Sequence, residues 1–473
     1  MILVGIINAL VVVALVVTTL TKGFERTLPL SAFFMLLFPI ETQIPLPGLF
    51  DLTTQRLVVI CLIVLYVLFG KVRREGTPKI AVPMKHLVLL LIVWMFISAA
   101  NSVVLTVSIK TVLSQITDFF IPYYIAVRTI SKAETVHKIL FALIAAMFVC
   151  SVFGVLQTYA DVNLVDLLPR VQRRIGGLAN LGDAERGVRL QTTFGHPILY
   201  GAALAMAIPI ALYLLTAIKT KAKRAFLWVA VMLMFLNIYK TGSRGPWLAL
   251  AVALGILIMF AGGRLRKYVT IIALLAATVL IVRPGVWQTL ANIYYSSLNP
   301  DTPAGESYEY RYALYRVAYE TLAQDSGRSV WGYGPESFFF LNLYAEFQGT
   351  MEVFRSCDSS IAQVWIEMGY VGLLLVLILL LRVGYVALRN VLRLPTPSKY
   401  LAIALLTSIW VFYFEMMSVA IWSWGQQTYM FWMIVGIASI YPHLVAAESV
   451  QQEKAGVAPV SLAPSLVGAQ RLG

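Results

Sequence analysis

Apolar residues fall along this chain in long blocks, with little alternation and no lasting one-sided stripe. "MILVGIINALVVVALVVTTL" opens the chain, and similar blocks follow, parted by short polar segments. A helix crossing a bilayer needs about 20 mostly apolar residues, within a range near 17–25. About thirteen blocks qualify by that measure. They centre on residues 1–20, 27–40, 56–70, 87–104, 111–127, 139–159, 197–215, 225–239, 246–261, 268–282, 361–381, 400–422 and 427–445. The second is short and interrupted by Pro39. The pattern predicts an all-α integral membrane protein of about 12–13 transmembrane helices, with a large loop between the tenth and eleventh spans. The expected divisions are N-terminal helices over 1–160, a second transmembrane domain over 161–445 that includes loop 283–360, and a disordered cytoplasmic tail over 446–473. The first block lacks a basic leader and a small-residue cleavage site, so it reads as a retained span.

Composition strengthens this picture. Of 473 residues, 59% are hydrophobic and 13% charged, where a soluble domain carries about a quarter charged residues. Mean hydropathy is +0.80. The net charge of +14 is not gathered into a basic, aromatic-laced stripe, so nucleic acid is not an expected partner; cytoplasmic loops and lipid contact account for such an excess. "GKVRREGTPKIAVPMK", "RTISKAETVHK", "KTKAKR", "GRLRK" and "RVGYVALRNVLRLPTPSK" all fall on one side of the thirteen spans, which the positive-inside rule makes cytoplasmic. Cys61 and Cys150 sit in apolar blocks and Cys357 stands alone in a polar loop, so no disulfide framework is implied. His86, His137, His196 and His443 lack metal-ligand spacing, and no metal is expected.

The opposite side holds two long segments, roughly 160–196 and 283–360. Both carry arginines against the orientation bias: Arg170, Arg173, Arg174, Arg186 and Arg189 in the first, and Arg283, Arg311, Arg316, Arg328 and Arg355 in the second. Between them "YKTGSRGPWLALAV" puts Arg244 just before a helix expected to begin at Pro246, since proline favours the first helical turn. A cation there opposes the helix dipole unless an anion joins it. An anion site and an arginine reaching for lipid headgroups are both open readings. Arginine suits phosphate because its fork donates in pairs. "YEYRYALYRVAYETLAQ" reads as an amphipathic helix at the membrane surface, and "GYGPESF" as a turn. Asp358, with Ser359 before the next span, reads either as a helix N-cap or as a base for a sugar hydroxyl. Glu367, about nine residues into that span, either faces a polar interior and positions Arg244 or another arginine, or marks a span that starts later than drawn.

The order "RLQTTFGHP", "TGSRGPWLAL", "GYGPESF" and "DSSIAQVWIEMGYVGLL" resembles the O-antigen ligase and polymerase family of bacterial envelope enzymes over roughly residues 185–440. The resemblance implies a GT-C-like multi-span fold with a large periplasmic loop. It also implies transfer of a glycan from undecaprenyl pyrophosphate to a sugar hydroxyl on the periplasmic face of the bacterial inner membrane, with inversion and without metal or nucleotide. The acceptor would be another lipid-linked glycan, the lipid A core or a protein. Membrane lipid and polysaccharide export or chain-length proteins would be further partners. Arg244, Arg189 and Arg311 match family arginines and are assigned to the pyrophosphate. His196 stands where the family usually has asparagine and is assigned a polar contact. Ligases begin the last motif with His-Asn; here Asp358 and Ser359 take those places. The family's proposed histidine base is therefore absent, Asp358 becomes the candidate base, and the polymerase reading gains over ligation.

Two other classes compete. A transporter for anions or small solutes would show inverted repeats and charges at mid-membrane, neither of which is evident. A non-catalytic scaffold of a polysaccharide export machine would tolerate loss of Asp358.

Overall fold

The computed structural model describes residues 2–39, 42–44, 51–70, 82–160, 162, 165, 168, 182–183, 187–282, 284–299, 303–347, 350–354 and 356–454. Helices dominate them. The N-terminal half contributes α1 (Ile2–Lys22), α2 (Thr27–Leu37), α3 (Thr54–Phe69), α4 (Lys85–Ala100), α5 (Leu105–Gln115), α6 (Ile121–Thr129) and α7 (Ala133–Tyr159). A π-helical turn, Ile116–Phe120, joins α5 to α6 into one rod. There follow α8 (Pro197–Ala217), α9 (Lys221–Lys240), α10 (Arg244–Phe260) and α11 (Gly263–Val282). The long loop supplies α12 (Pro284–Leu298), α13 (Pro303–Ala323), α14 (Ser326–Trp331) and an antiparallel hairpin pairing Tyr344–Phe347 with Thr350–Val353. The chain closes with α15 (Ser360–Arg393), α16 (Ser398–Glu415) and α17 (Gly425–Lys454).

Every expected span falls on a helix. Among the described residues six helices are long and apolar enough to cross a membrane: α1, α7, α8, α9, α15 and α17; α3, α4 and α10 are shorter apolar helices. The protein is an all-α membrane protein. Helix α17 runs to Lys454, past residue 446 where the tail was expected to begin, and residues 455–473 lie outside the described residues.

Helix α8 explains the layout. "PILYGAALAMAIPIAL" is apolar all round, and such a helix is stable only when covered on every side. It is enclosed by α7, α9, α10, α11 and α16, with 94% of its apolar window buried. Its small residues let neighbours approach closely. A Cβ on Gly201 would sit 2.7 Å from Pro246 Cγ, so glycine seats the start of α10 against α8.

The long loop builds a second, smaller core. Ala313, Leu314, Val317 and Ala318 of α13 are buried with Phe338, Leu343, Phe354, Cys357, Ala362 and Ile366. The apolar face of α13 thus covers the first turns of α15.

Two motifs that lie apart in sequence lock together. Helix α15 is kinked at Gly369 (φ 66°, ψ −171°), and Gly332, which ends α14, has φ 75° and ψ −164°. That region is open essentially to glycine alone. A Cβ on Gly369 would lie 2.3 Å from Val330 O, and one on Gly332 2.4 Å from Glu367 O. The backbones meet directly: Tyr333 N donates to Ile366 O (3.1 Å) and Gly334 N to Glu367 O (2.8 Å). Ser98 Oγ and Trp94 Nε1 of α4 add bonds to Glu367 O (2.8 Å) and Met368 O (3.0 Å). The glycines of "GYGP" and "EMGY" thereby fix the loop onto the membrane helices.

Candidate functional site

Helix direction sorts the ends. The N-termini of α3, α8, α10, α15 and α17 and the C-termini of α9 and α16 lie on the face opposite the basic connections. The sequence-derived candidates gather there in two groups.

The first forms around the start of α10. Ser243 is extended and serves as N-cap, and helix begins at Arg244, two residues before the expected Pro246. The correction has a simple cause: Pro246 falls inside the first turn, whose N–H groups bond nothing in the helix, so proline costs nothing there. Arg244 is half-buried and adds a cation to the positive end of the dipole. Arg189 reaches the same turn: its Nε donates to Thr241 O (3.0 Å) and its Nη2 to Ser243 Oγ (2.7 Å). His196 caps α8, its Nδ1 accepting from Ile198 N at 3.3 Å. Burial and then the Arg189 charge push the imidazole down to about 4, so it is neutral at pH 7 and able to accept.

The second group lies where α13 covers α15. Arg311 Nη2 is 3.7 Å from Asp358 Oδ2, with side chains 23% and 31% exposed. A pair this accessible contributes on the order of 1 kcal/mol or less, so its interest is chemical. Arg311 also donates to Ser418 O (3.2 Å). It sits in the third turn of α13 rather than heading that helix. Ser356 Oγ donates to the other Asp358 oxygen at 2.8 Å. Ser359, not Asp358, caps α15: its Oγ accepts from Ala362 N (3.3 Å) and lies 2.7 Å from Tyr315 OH. The cap reading of Asp358 is thus corrected. Burial raises the pKa of Tyr310, Tyr315 and Cys357, so each stays protonated near neutrality.

A residue that sequence reasoning missed joins the groups. Glu415 ends α16 and is fully buried. A Cβ on Gly245 would lie 3.0 Å from Glu415 Oε2 and 3.2 Å from Ser418 Oγ. Glycine in "SRG" therefore lets this carboxylate seat on the first turn of α10. Glu415 also interacts electrostatically with Arg311. The turn at 415–418 touches both groups and binds them into one assembly. An acid ending a span in "FEMMS" was the available signal.

Not every candidate converges. Arg316 is exposed on α13. Arg328 braces α14 against α4 through Asn101 O and lies 4.9 Å over the Tyr333 ring. Glu367 does not serve Arg244: its carboxylate binds Gln363 Nε2 (3.1 Å) and the backbone of Glu336 and Phe338. The kink at Gly369 turns it towards the "GYGPESF" turn, whose N–H groups it satisfies. Arg170, Arg173, Arg174, Arg186, Arg283 and Arg355 lie outside the described residues.

Residues 229–377 match the family model described as O-Antigen ligase. The match covers about a third of the chain and supports its likeness to the O-antigen ligase family. The match runs from within α9 into α15 and takes in Arg244, Arg311, Asp358 and Ser359, while Arg189, His196 and Glu415 fall outside it. No curated protein matches the chain. The family implies membrane-bound glycan transfer of the ligase or polymerase type.

Proposed function

We propose that this protein transfers a glycan from undecaprenyl pyrophosphate to a sugar hydroxyl on the periplasmic side of the bacterial inner membrane. Lengthening of a lipid-linked glycan is the favoured mode. One observation supports the reading: two groups meet the turn at 415–418, since Arg311, beside Asp358, donates to Ser418 O, and the start of α10, where Arg189 donates to Ser243 Oγ, packs Gly245 against Glu415.

Asp358 is the base. Ser356 and Arg311 hold its two oxygens, so a lone pair stays directed at an incoming hydroxyl. As the hydroxyl oxygen bonds the anomeric carbon from the face opposite the leaving group, the bond from that carbon to the pyrophosphate oxygen breaks. The electron pair leaves with the pyrophosphate, the hydroxyl proton passes to Asp358, and the configuration inverts. Arg189, Arg244, Arg311 and the free N–H groups of α10 neutralise the departing charge. His196 holds the start of α8 and does not exchange protons. Ser359 and Tyr315 fix the wall of the site.

The cell-based test is surface polysaccharide in a strain lacking the protein. Complementation by wild type and failure by Arg244→Ala and Asp358→Ala, at equal membrane levels, supports the assignment. Undiminished polysaccharide with Asp358→Ala contradicts it and returns the protein to a scaffold.

A further inference from the structure

A cavity of about 420 Å3 opens on the same face, and Arg189, Arg244 and Arg311 are not among its lining residues. Its size falls in the range of small-molecule sites, about 300–1,000 Å3. The start of α3, the length of α5 with its π-turn, the "GYGPESF" turn and residues 423–426 enclose it.

We propose that this cavity binds uncharged sugar residues of a glycan. This rests on the transferase reading, because it names where part of the substrate lies.

Charge excludes an anion. The charged lining residues are Arg56 and Lys110 against Asp51, Asp118 and Glu336, two cations to three acids. Arg56 is already engaged by Asp118 Oδ2 (3.3 Å), Ser114 Oγ (2.9 Å) and Asp51 O (2.8 Å). A pyrophosphate therefore belongs at α10 and not here.

Two acceptors ask for donors. Gln55 and Gln115 are 6% and 7% exposed. Both line the cavity, and Gln55 Oε1 and Gln115 Oε1 accept no hydrogen bond from the described residues. Gln55 Nε2 is taken by Phe38 O, which orients that amide. A buried acceptor left unmade costs about 1–3 kcal/mol, so two at one cavity mark a place for ligand hydroxyls. Trp424 adds an aromatic wall for the apolar face of a sugar ring.

The walls are specialised. Asp118 sits in the π-turn, a feature that clusters at functional sites. Glu336 reaches the cavity from a left-handed backbone (φ 63°), a strain of about 1–3 kcal/mol for a non-glycine residue. The link to the reacting centre is short. Ser423 of the lining donates to Gln363 Oε1 (3.1 Å), and Gln363 N donates to Ser359 O (3.0 Å). That chain of bonds ties the cavity wall to the cap of α15, next to Asp358.

The test is binding without turnover. The probe is neutral, lipid-free repeat-unit fragments cut from the producing strain's own surface polysaccharide, titrated into purified full-length protein by equilibrium dialysis. The expected result is saturable binding, weakened about tenfold by Gln115→Leu and abolished by Thr111→Trp, which fills the cavity. Gln115→Leu should unfold no earlier than wild type, since it removes an unmet acceptor. Arg244→Ala and saturating inorganic pyrophosphate should leave fragment binding unchanged. A transferase defect therefore cannot imitate a failure of this site. If lipid-linked donor displaces the fragment, the cavity holds donor sugars; if both bind together, it holds the acceptor. No fragment binding to wild type, or binding indifferent to both cavity variants, overturns the proposal.

Discussion

Gly369→Ala should separate the two interlocked motifs, and the structure sets the size of the effect. The residue adopts φ 66° and ψ −171°, a conformation costing a non-glycine residue about 1–3 kcal/mol. The added Cβ would stand 2.3 Å from Val330 O and 2.8 Å from Gly332 N. Relieving those contacts requires the strands of backbone to part by roughly 1 Å, beyond good hydrogen-bond range. That movement loses the bonds from Tyr333 N to Ile366 O and from Gly334 N to Glu367 O, each contributing about 0.5–1.5 kcal/mol. The sum is about 2–6 kcal/mol. Denaturant titration in mixed micelles measures it. Gly255 in α10 is the control, because its Cβ would meet nothing within 4 Å. Gly255→Ala should be neutral or gain about 0.5–1 kcal/mol from helix propensity. A Gly369→Ala cost below about 1 kcal/mol, or equal to the control, refutes the interlock.

Three further outcomes are expected. His196 titrates at about 4 in the fold against about 6.5 in an unfolded chain. The unfolded state therefore binds the extra proton, and about 3 kcal/mol present above pH 6.5 is lost as pH falls to 4. His196→Asn keeps a cap acceptor and should flatten that pH dependence in thermal melts. Glu415→Leu removes the buried acceptor to which Ser418 Oγ donates beside the start of α10; denaturant titration should show a loss of about 1–3 kcal/mol, as when a buried hydrogen-bond partner is removed. Arg189→Lys cannot span Thr241 O and Ser243 Oγ together; the KM for lipid-linked donor should rise about tenfold with membrane levels unchanged.

The spans were legible because length and apolarity alone decide them, and the thirteen blocks fall on helices outside the long loop. Arg189, Arg244, Arg311 and Asp358 could be named from the sequence because each stands in or beside a short motif, although Arg311 lies inside α13 and not at its end. Their grouping was not. The pairs Arg189–Ser243 and Arg311–Asp358 are set by how helices pack, and no local pattern reports that. Glu415 stayed hidden since a single acid at the end of a span carries no spacing. Glu367 was placed in the right environment with the wrong partner: the kink at Gly369 turns its carboxylate from the arginines to the "GYGPESF" turn. The sugar cavity was invisible because Gln55 and Gln115 are ordinary polar residues in otherwise apolar helices. Only their burial without donors singles them out.

The most direct measurement gives purified protein in nanodiscs a short undecaprenyl-pyrophosphate-linked repeat unit, with no other acceptor, and quantifies both lipid-linked products and free undecaprenyl pyrophosphate. A ladder of longer glycans is expected, with matching release of the lipid pyrophosphate, both lost in Arg244→Ala and in Asp358→Ala. Folded wild-type protein that yields neither product, or an Asp358→Ala variant that extends the ladder at the wild-type rate, would contradict the transferase reading.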